Sequence, residues 1–271
     1  MATVIRQENI APKSASVPDR EGPGHDAEFR SALSWLLPDP IRRHGGRIET
    51  LQQPLLETEA LLVRNAVERR VMEFTAGRAC AHAVLGELGL AGVPVGMGPR
   101  REPLWPSGTV GSISHAAGFC VAAAGTRDHM AGLGVDIECA SALPETLTDL
   151  VCTPAERRWC EGQSGLSAGL LAKFVFSAKE AVFKCLYPVF GEELDFMDVT
   201  LELDMQAGRF IARVSRLALN TDADLELHGR VACTSRLAMT SALLLHSTCE
   251  WLHHGYGLRR LADCEGQYIC N

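Results

Sequence analysis

Residues 176–190, F-S-A-K-E-A-V-F-K-C-L-Y-P-V-F, restrict this chain more than any other stretch. Leu171, Phe174, Val175, Ala178, Val182 and Leu186 recur three or four apart, which predicts a helix from about residue 170 to 187, stopped by Pro188. On that helix Lys179, Glu180 and Lys184 come interleaved with Phe176 and Phe183. Aromatic residues beside the charges, opposite a stripe that is also apolar, imply partial burial on both sides. Ionised groups in such a place need partners. Gly134-Val135-Asp136-Ile137-Glu138 reads as the end of a strand. Residues two apart on a strand project the same way, so Asp136 and Glu138 share a face and Ile137 points inward. Adjacent carboxylates raise the cost of keeping both ionised, and a divalent cation removes that cost. Oxygen ligands of this kind suit Mg²⁺, which also accepts phosphate oxygens. Taken singly, D-x-E is equally a solvated strand end, and Glu180 with Lys184 an ordinary pair four residues apart on a helix. Together, Asp136, Glu138 and Glu180 with Lys179 and Lys184 supply the parts for holding a metal and a polyphosphate at once.

Composition narrows the alternatives. Acids outnumber bases 33 to 26, so a general nucleic-acid footprint is not expected, although a local basic pocket for an anion is allowed. The 10 cysteines read as reduced thiols, because the chain is long enough to form a core without staples and no stretch reads as a secretory leader. No two cysteines stand in a C-x-x-C, and Cys80, Cys120, Cys139 and Cys185 lie in apolar runs that suggest small core residues. No stretch reaches the ~18 to 20 apolar residues of a membrane span. A cytoplasmic protein without membrane attachment is expected.

Along the chain, residues 1–27 look like a disordered tail, rich in Pro, Ser, Gly and charge toward their end. A long helix is predicted from about 58 to 88, with Leu61, Leu62, Ala66, Phe74, Ala81, Leu85 and Leu88 along one face and Gly89 and Gly92 as stop signals. Residues 98–108 form a loop stiffened by prolines. Strands are expected over 111–115, 120–124 and 132–138, with 141–150 as a connection. After the second long helix come strands over 199–203, 210–214, 231–233 and 238–245, with a turn at 206–208. Each half thus has a long helix followed by strands, which predicts an α+β protein of two similar α/β halves in a pseudo-twofold arrangement. The halves are placed at 28–135 and 136–246, with an extension over 247–271. No G-x-G-x-x-G follows a strand, so a dinucleotide fold is not indicated.

Other polar residues carry less signal. In Gly111-Ser112-Ile113-Ser114-His115 the residue two after Gly111 is Ile113, so the G-x-S-x-G of a nucleophile elbow is absent, and neighbouring residues on a strand do not point together. Ser114 and His115 read as an anion-gripping strand end or as a satisfied strand terminus. Arg70, Arg78 and Arg101 suit phosphate contact by their guanidinium geometry, with ordinary surface positions as the alternative. His253 and His254 read as surface residues.

Four blocks resemble the motifs of Sfp-type 4'-phosphopantetheinyl transferases, and most closely the subgroup typified by the enterobactin synthetase D component. They are Arg70-x-x-Glu73-Phe74-x-x-Gly77-Arg78; Arg101-x-Pro103-x-Trp105-Pro106-x-Gly108 leading to Gly111-Ser112-Ile113-Ser114-His115; Gly134 to Glu138; and Phe176-Ser177-Ala178-Lys179-Glu180-Ala181-x-Phe183-Lys184. They fall in the family's order, and four in order are far more specific than one. The resemblance implies the family's two-halved α+β fold with the ligand between the halves. It also implies transfer of the phosphopantetheine arm of coenzyme A to a serine of an apo acyl, aryl or peptidyl carrier protein, releasing 3',5'-ADP. By position, Asp136, Glu138 and Glu180 match the Mg²⁺-binding acids, and Glu180 also matches the group that takes the serine proton. Asp136, Glu180 and Lys184 match catalytic positions. Lys179 and Lys184 match lysines near the phosphates. Arg70, Arg78, Ser114 and His115 match positions around the nucleotide and its 3'-phosphate, and Arg101 with Trp105 shapes the adenine side. Carrier domains of non-ribosomal peptide, polyketide or fatty-acid synthases are the implied partners, and a monomer is expected. A non-catalytic binder of coenzyme A or carrier, or a Mg²⁺-dependent pyrophosphate hydrolase, would use many of the same residues.

Overall fold

The computed structural model describes residues 24–219 and 224–246. The N-terminal part holds α1 (Gly24–Leu36), β1 (Arg42–Arg47), α2 (Glu57–Val63), α3 (Glu68–Glu87), the short strands β2 (Gly96–Met97) and β3 (Pro103–Leu104), β4 (Thr109–Ala116) and β5 (Phe119–Thr126). The C-terminal part holds β6 (Met130–Cys139), α4 (Glu145–Val151), α5 (Pro154–Gly162), α6 (Ala168–Phe190), a 3₁₀ turn (Phe196–Asp198), β7 (Val199–Asp204), β8 (Arg209–Val214), α7 (Arg216–Leu219), β9 (Leu225–Cys233) and β10 (Leu237–Leu245). One sheet runs β1-β5-β4 and another β6-β10-β9-β8-β7, with antiparallel pairing throughout.

Strand alternation explains how the layers stack. On β5, Cys120, Ala122 and Ala124 face α3, while Phe119, Val121 and Ala123 join a middle core shared with α1 and β6. On β6, Leu133, Val135 and Ile137 enter that middle core, and Ile137 is fully buried as its strand position requires. The opposite face of the β6 sheet packs against α6 around Phe174, Ala178 and Val182. Each half therefore sets a long helix on an antiparallel sheet, the α+β organisation expected. The halves meet where β4 lies against β6. There Ser112 Oγ accepts the Val135 N–H at 3.1 Å and Ser114 Oγ accepts the Ile137 N–H at 3.2 Å. The boundary expected between residues 135 and 136 falls inside β6, whose full length pairs with β10.

Several expectations need correction. The helix expected over 58–88 is two helices, because Val67 adopts extended backbone (φ −66°, ψ 153°) ahead of α3. Leu61 and Leu62, placed on its apolar face, are exposed. The 141–150 connection contains most of α4, and α5 follows. The start of α5 is written in Thr153-Pro154-x-Glu156: the Thr153 and Glu156 side chains cap one another's backbone N–H groups. Pro188 lies within α6 rather than ending it. Proline there forfeits one intrahelical bond, and the stop comes at Gly191, whose left-handed backbone (φ 72°) lets its N–H reach Tyr187 O at 2.8 Å. Residues 24–27, taken as tail, belong to α1, which buries Phe29, Ala32, Leu33 and Leu36 at helical spacing. β1, R-R-H-G-G-R, has no strand pattern; Gly45 admits it against β5, where a Cβ would lie 2.7 Å from Cys120 O. Cys139 is exposed, unlike the buried Cys80, Cys120 and Cys185. Residues 1–23, the 247–271 extension and the two tail histidines lie outside the described residues.

Candidate active site between the two halves

The site follows from how α6 lies on β6. Gly132, Gly134, Asp136 and Glu138 share the β6 face turned toward the helix. A Cβ on Gly132 would stand 2.5 Å from Cys185 O, and one on Gly134 would stand 1.8 Å from Ala181 O. Glycine is thus required for this approach, and it brings the helix within reach of the two acids beyond. Ser177 Oγ donates to Asp136 Oδ2 at 2.8 Å, and Lys173 Nζ donates to Glu138 Oε2 at 3.4 Å. The pairs 185/132, 181/134, 177/136 and 173/138 keep step because four helical residues rise about 6 Å and two strand residues about 6.6 Å.

Asp136 is 3% exposed and fully engaged. Its Oδ1 accepts from Lys184 Nζ at 2.6 Å and from Ser114 Oγ at 3.0 Å. Glu180, one turn before Lys184, is partly buried. Burial pushes its carboxyl up to about 7, with Asp136 and Glu138 acting in the same direction and Lys184 against them. Burial likewise raises Glu138, with Asp136 adding to it and Lys173 opposing. Burial disfavours the Lys184 ammonium, yet Asp136 and Glu180 together hold it above its ordinary value.

A basic cluster adjoins this acid pocket. His115 follows Ser114 on β4 and so faces the other way, toward α3, where Arg70 Nη1 lies 3.4 Å from His115 Nε2. Glu73 Oε2 lies 3.9 Å from the same nitrogen. Burial lowers His115, and Arg70 and Lys184 depress it further against the pull of Glu73. Lys184 is therefore felt by both clusters. Arg78 is only 5% exposed. Its Nη2 donates to Gly96 O at 2.8 Å, and burial pushes the guanidinium down to about 10. Arg101 is exposed near the end of the β2–β3 hairpin, in left-handed backbone (φ 66°).

Lys179 is not brought to this site. It is 2% exposed, and its Nζ donates to Glu156 Oε2, Val151 O and Phe196 O, each at 2.8 Å. An ammonium has three protons, and these partners take all of them. The expectation of a phosphate contact is corrected: the neighbour of Glu180 on a helix points about 100° away from it, here into the α4–α5 layer. Sequence reasoning assigned no role to Ser177, Lys173, Glu73, Glu59 or Glu156. The four-against-two spacing of α6 and β6 could have found the first two.

The three carboxylates are electrostatically coupled, but no group of three His, Cys, Asp or Glu among the described residues is arranged to hold a metal ion. The Lys184 ammonium and two hydroxyls engage Asp136. The donor chemistry still fits a hard divalent cation: burial raises Glu138 and Glu180, the neighbouring Asp136 carboxylate adds to both, and a cation favours the ionised forms.

Comparison with known proteins gives the family. The profile of the 4'-phosphopantetheinyl transferase N-terminal domain matches residues 57–125, and that of the 4'-phosphopantetheinyl transferase superfamily matches residues 132–236. The chain belongs to the 4'-phosphopantetheinyl transferase superfamily. It is 42% identical over 161 residues to 4'-phosphopantetheinyl transferase Svp of Streptomyces mobaraensis, covering 59% of this chain and 65% of that one. It is 34% identical over 196 residues to 4'-phosphopantetheinyl transferase PptT of Mycobacterium tuberculosis, covering 70% and 86%. Enterobactin synthase component D of Escherichia coli K12 is 36% identical over 124 residues, 45% of this chain and 57% of that one. A holo-(acyl-carrier-protein) synthase from Bacillus anthracis, solved in complex with CoA (3',5'-ADP), overlaps at a TM-score of 0.31 and 19% identity over 44% of this chain and 99% of that one, too slight a likeness to argue from.

Proposed function

We propose that this protein transfers the 4'-phosphopantetheine arm of coenzyme A to a serine of an apo carrier protein, releasing 3',5'-ADP, with Mg²⁺ as cofactor. One observation carries the reading. The Lys184 ammonium, 2.6 Å from Asp136 and close enough to depress His115, joins an acid pocket to a basic cluster at the seam between the halves. A diphosphate flanked by a cation on one side and guanidinium and imidazole on the other suits that juxtaposition. Mg²⁺ held by Glu138 and Glu180 beside Asp136 would supply neutralisation of the diphosphate oxygens.

Each residue then has a task. Arg70 and His115 hold the anionic nucleotide end, with Ser114 fixing Asp136 beside it. Glu180, poised near neutrality, accepts the serine proton as the serine oxygen bonds to phosphorus and the bond to 3',5'-ADP breaks. Lys184 steadies the charge that develops on the leaving oxygen. No covalent enzyme intermediate is needed. In this reading residues 28–135 form the nucleotide side and 136–246 the metal and catalytic side of a cytoplasmic monomer.

The carrier needs a docking surface. Leu147 and Leu150 on α4 and Met197 on the 3₁₀ turn are 38%, 50% and 43% exposed, on elements that touch. Phe196 beside them meets Phe176 at 5.7 Å, and Lys173 Nζ lies over the Phe176 ring at 5.4 Å. This apolar patch leads straight to Glu138, which suits a helical carrier presenting its serine to the pocket.

Incubating the protein with coenzyme A, Mg²⁺ and a panel of apo carriers, followed by intact-mass spectrometry, tests the reading. A carrier heavier by one phosphopantetheine arm supports it. Release of 3',5'-ADP without a carrier would point to a hydrolase, and no product at all to a binder.

A further inference from the structure

We propose that Glu59 is a positioning residue for the nucleotide end of coenzyme A, acting through Arg78 and the β2–β3 hairpin; this rests on the transferase reading above. Glu59 is 1% exposed. Its Oε1 accepts from His82 Nε2 and from the Val95 N–H, both at 2.9 Å, and Arg78 Nε lies 3.9 Å away. Its Oε2 accepts the Leu56 N–H at 3.3 Å, capping its own helix. One carboxylate thus ties α2 to α3 and to the residue that opens β2.

Arg78 completes the hold. It donates to Gly96 O at 2.8 Å, and its guanidinium lies 4.3 Å from the Phe74 ring centre. The root of β2 is therefore held twice, through the Val95 N–H by Glu59 and through the Gly96 carbonyl by Arg78. β2 pairs with β3 through Gly96↔Leu104 and Met97↔Pro103, so the hairpin that carries Arg101 and exits at Trp105 stands where this pair puts it. Trp105 in turn fits a space that only glycine leaves at 111, where a Cβ would lie 2.5 Å from its ring.

The charges show why a carboxylate is used. Arg78 is depressed by burial and by Arg70, and Glu59 is the acid that opposes both. Its Nε is buried without a hydrogen bond, so this counter-charge is what keeps the guanidinium aimed at Gly96.

The test is Glu59→Gln in the full-length chain, with coenzyme A and carrier varied separately in the transfer assay. The KM for coenzyme A should rise about tenfold while kcat and the carrier KM stay within about twofold. A merely structural role would lower the melting temperature and the active fraction, hence kcat, and leave KM unmoved; that result overturns the inference. Should Glu59→Gln fail to fold, His82→Ala removes one donor from the same oxygen at a partly exposed position. It should raise the coenzyme A KM about threefold, and an unchanged KM overturns the inference. Calorimetric affinity for 3',5'-ADP needs no turnover. A wild type that binds it but transfers nothing would fail the transferase reading alone, whereas equal affinity in wild type and Glu59→Gln would overturn this inference alone.

Discussion

Lys184 Nζ lies 2.6 Å from Asp136 Oδ1 and 3.1 Å from Ser114 Oγ, so one ammonium pins helix α6 to strands from both halves of the molecule. Asp136 keeps only hydroxyl donors, Ser114 and Ser177, once that ammonium is gone. Lys184→Met should cost about 3 kcal/mol of stability by leaving a buried carboxylate without its counter-charge. It should also slow transfer about a hundredfold through loss of charge stabilisation. Urea denaturation and single-turnover rates check the two effects separately.

Glu180 makes stability depend on pH in a defined sense. Its carboxyl is raised from 4.5 to about 7, so the folded state holds the proton more tightly than the unfolded chain does. The stability this contributes is complete below about pH 4.5 and lost as pH rises through about 7. Glu180→Gln should therefore be more stable than wild type at pH 8, by no more than about 3 kcal/mol less what solvent screens at a partly buried group. The gain should vanish by about pH 4.5, the group's ordinary value. Added Mg²⁺ should stabilise wild type more at pH 8 than at pH 5, because only the ionised pocket attracts it. Denaturant midpoints at three pH values decide this, and a variant no more stable than wild type at pH 8 would refute the burial of charge.

Lys179 separates structure from ligand contact. Lys179→Met strands Glu156, which also accepts the Thr153 and Leu201 N–H groups at 2.7 and 2.8 Å. The expected cost is about 3 to 5 kcal/mol, read as a lowered urea midpoint. The coenzyme A KM of the fraction that folds should match wild type. A raised KM at unchanged stability would return Lys179 to the phosphates.

The exposed patch on α4 gives a substrate-selective outcome. Leu150→Glu should raise the carrier KM about tenfold and leave the coenzyme A KM unchanged. The residue is 50% exposed, so the folded state should lose little. Equal effects on both substrates would remove this surface from carrier docking.

Much of this site was legible from spacing. Asp136 and Glu138 two apart on a strand, and Glu180 and Lys184 four apart on a helix, settle which side chains share a face before any fold is known. Glycines at 132 and 134 carried a further signal, since a strand that keeps no side chains on one face invites a helix against it. What spacing could not give was the third dimension. Lys179 differs from Glu180 by one helical step, and only the position of α5 decides that it meets Glu156. Arg78 reads as a surface arginine until Gly96 and Glu59 close over it. β1 is invisible in R-R-H-G-G-R because its place depends on the partner strand β5 rather than on its own pattern.

Intact-mass analysis of an apo carrier incubated with coenzyme A, Mg²⁺ and either wild type or Glu180→Gln tests the role of the acid pocket at its source. Wild type should add one phosphopantetheine arm; Glu180→Gln should add none while still binding coenzyme A by calorimetry. A wild type that leaves every carrier unmodified, or a Glu180→Gln variant that turns over at the wild-type rate, would contradict it.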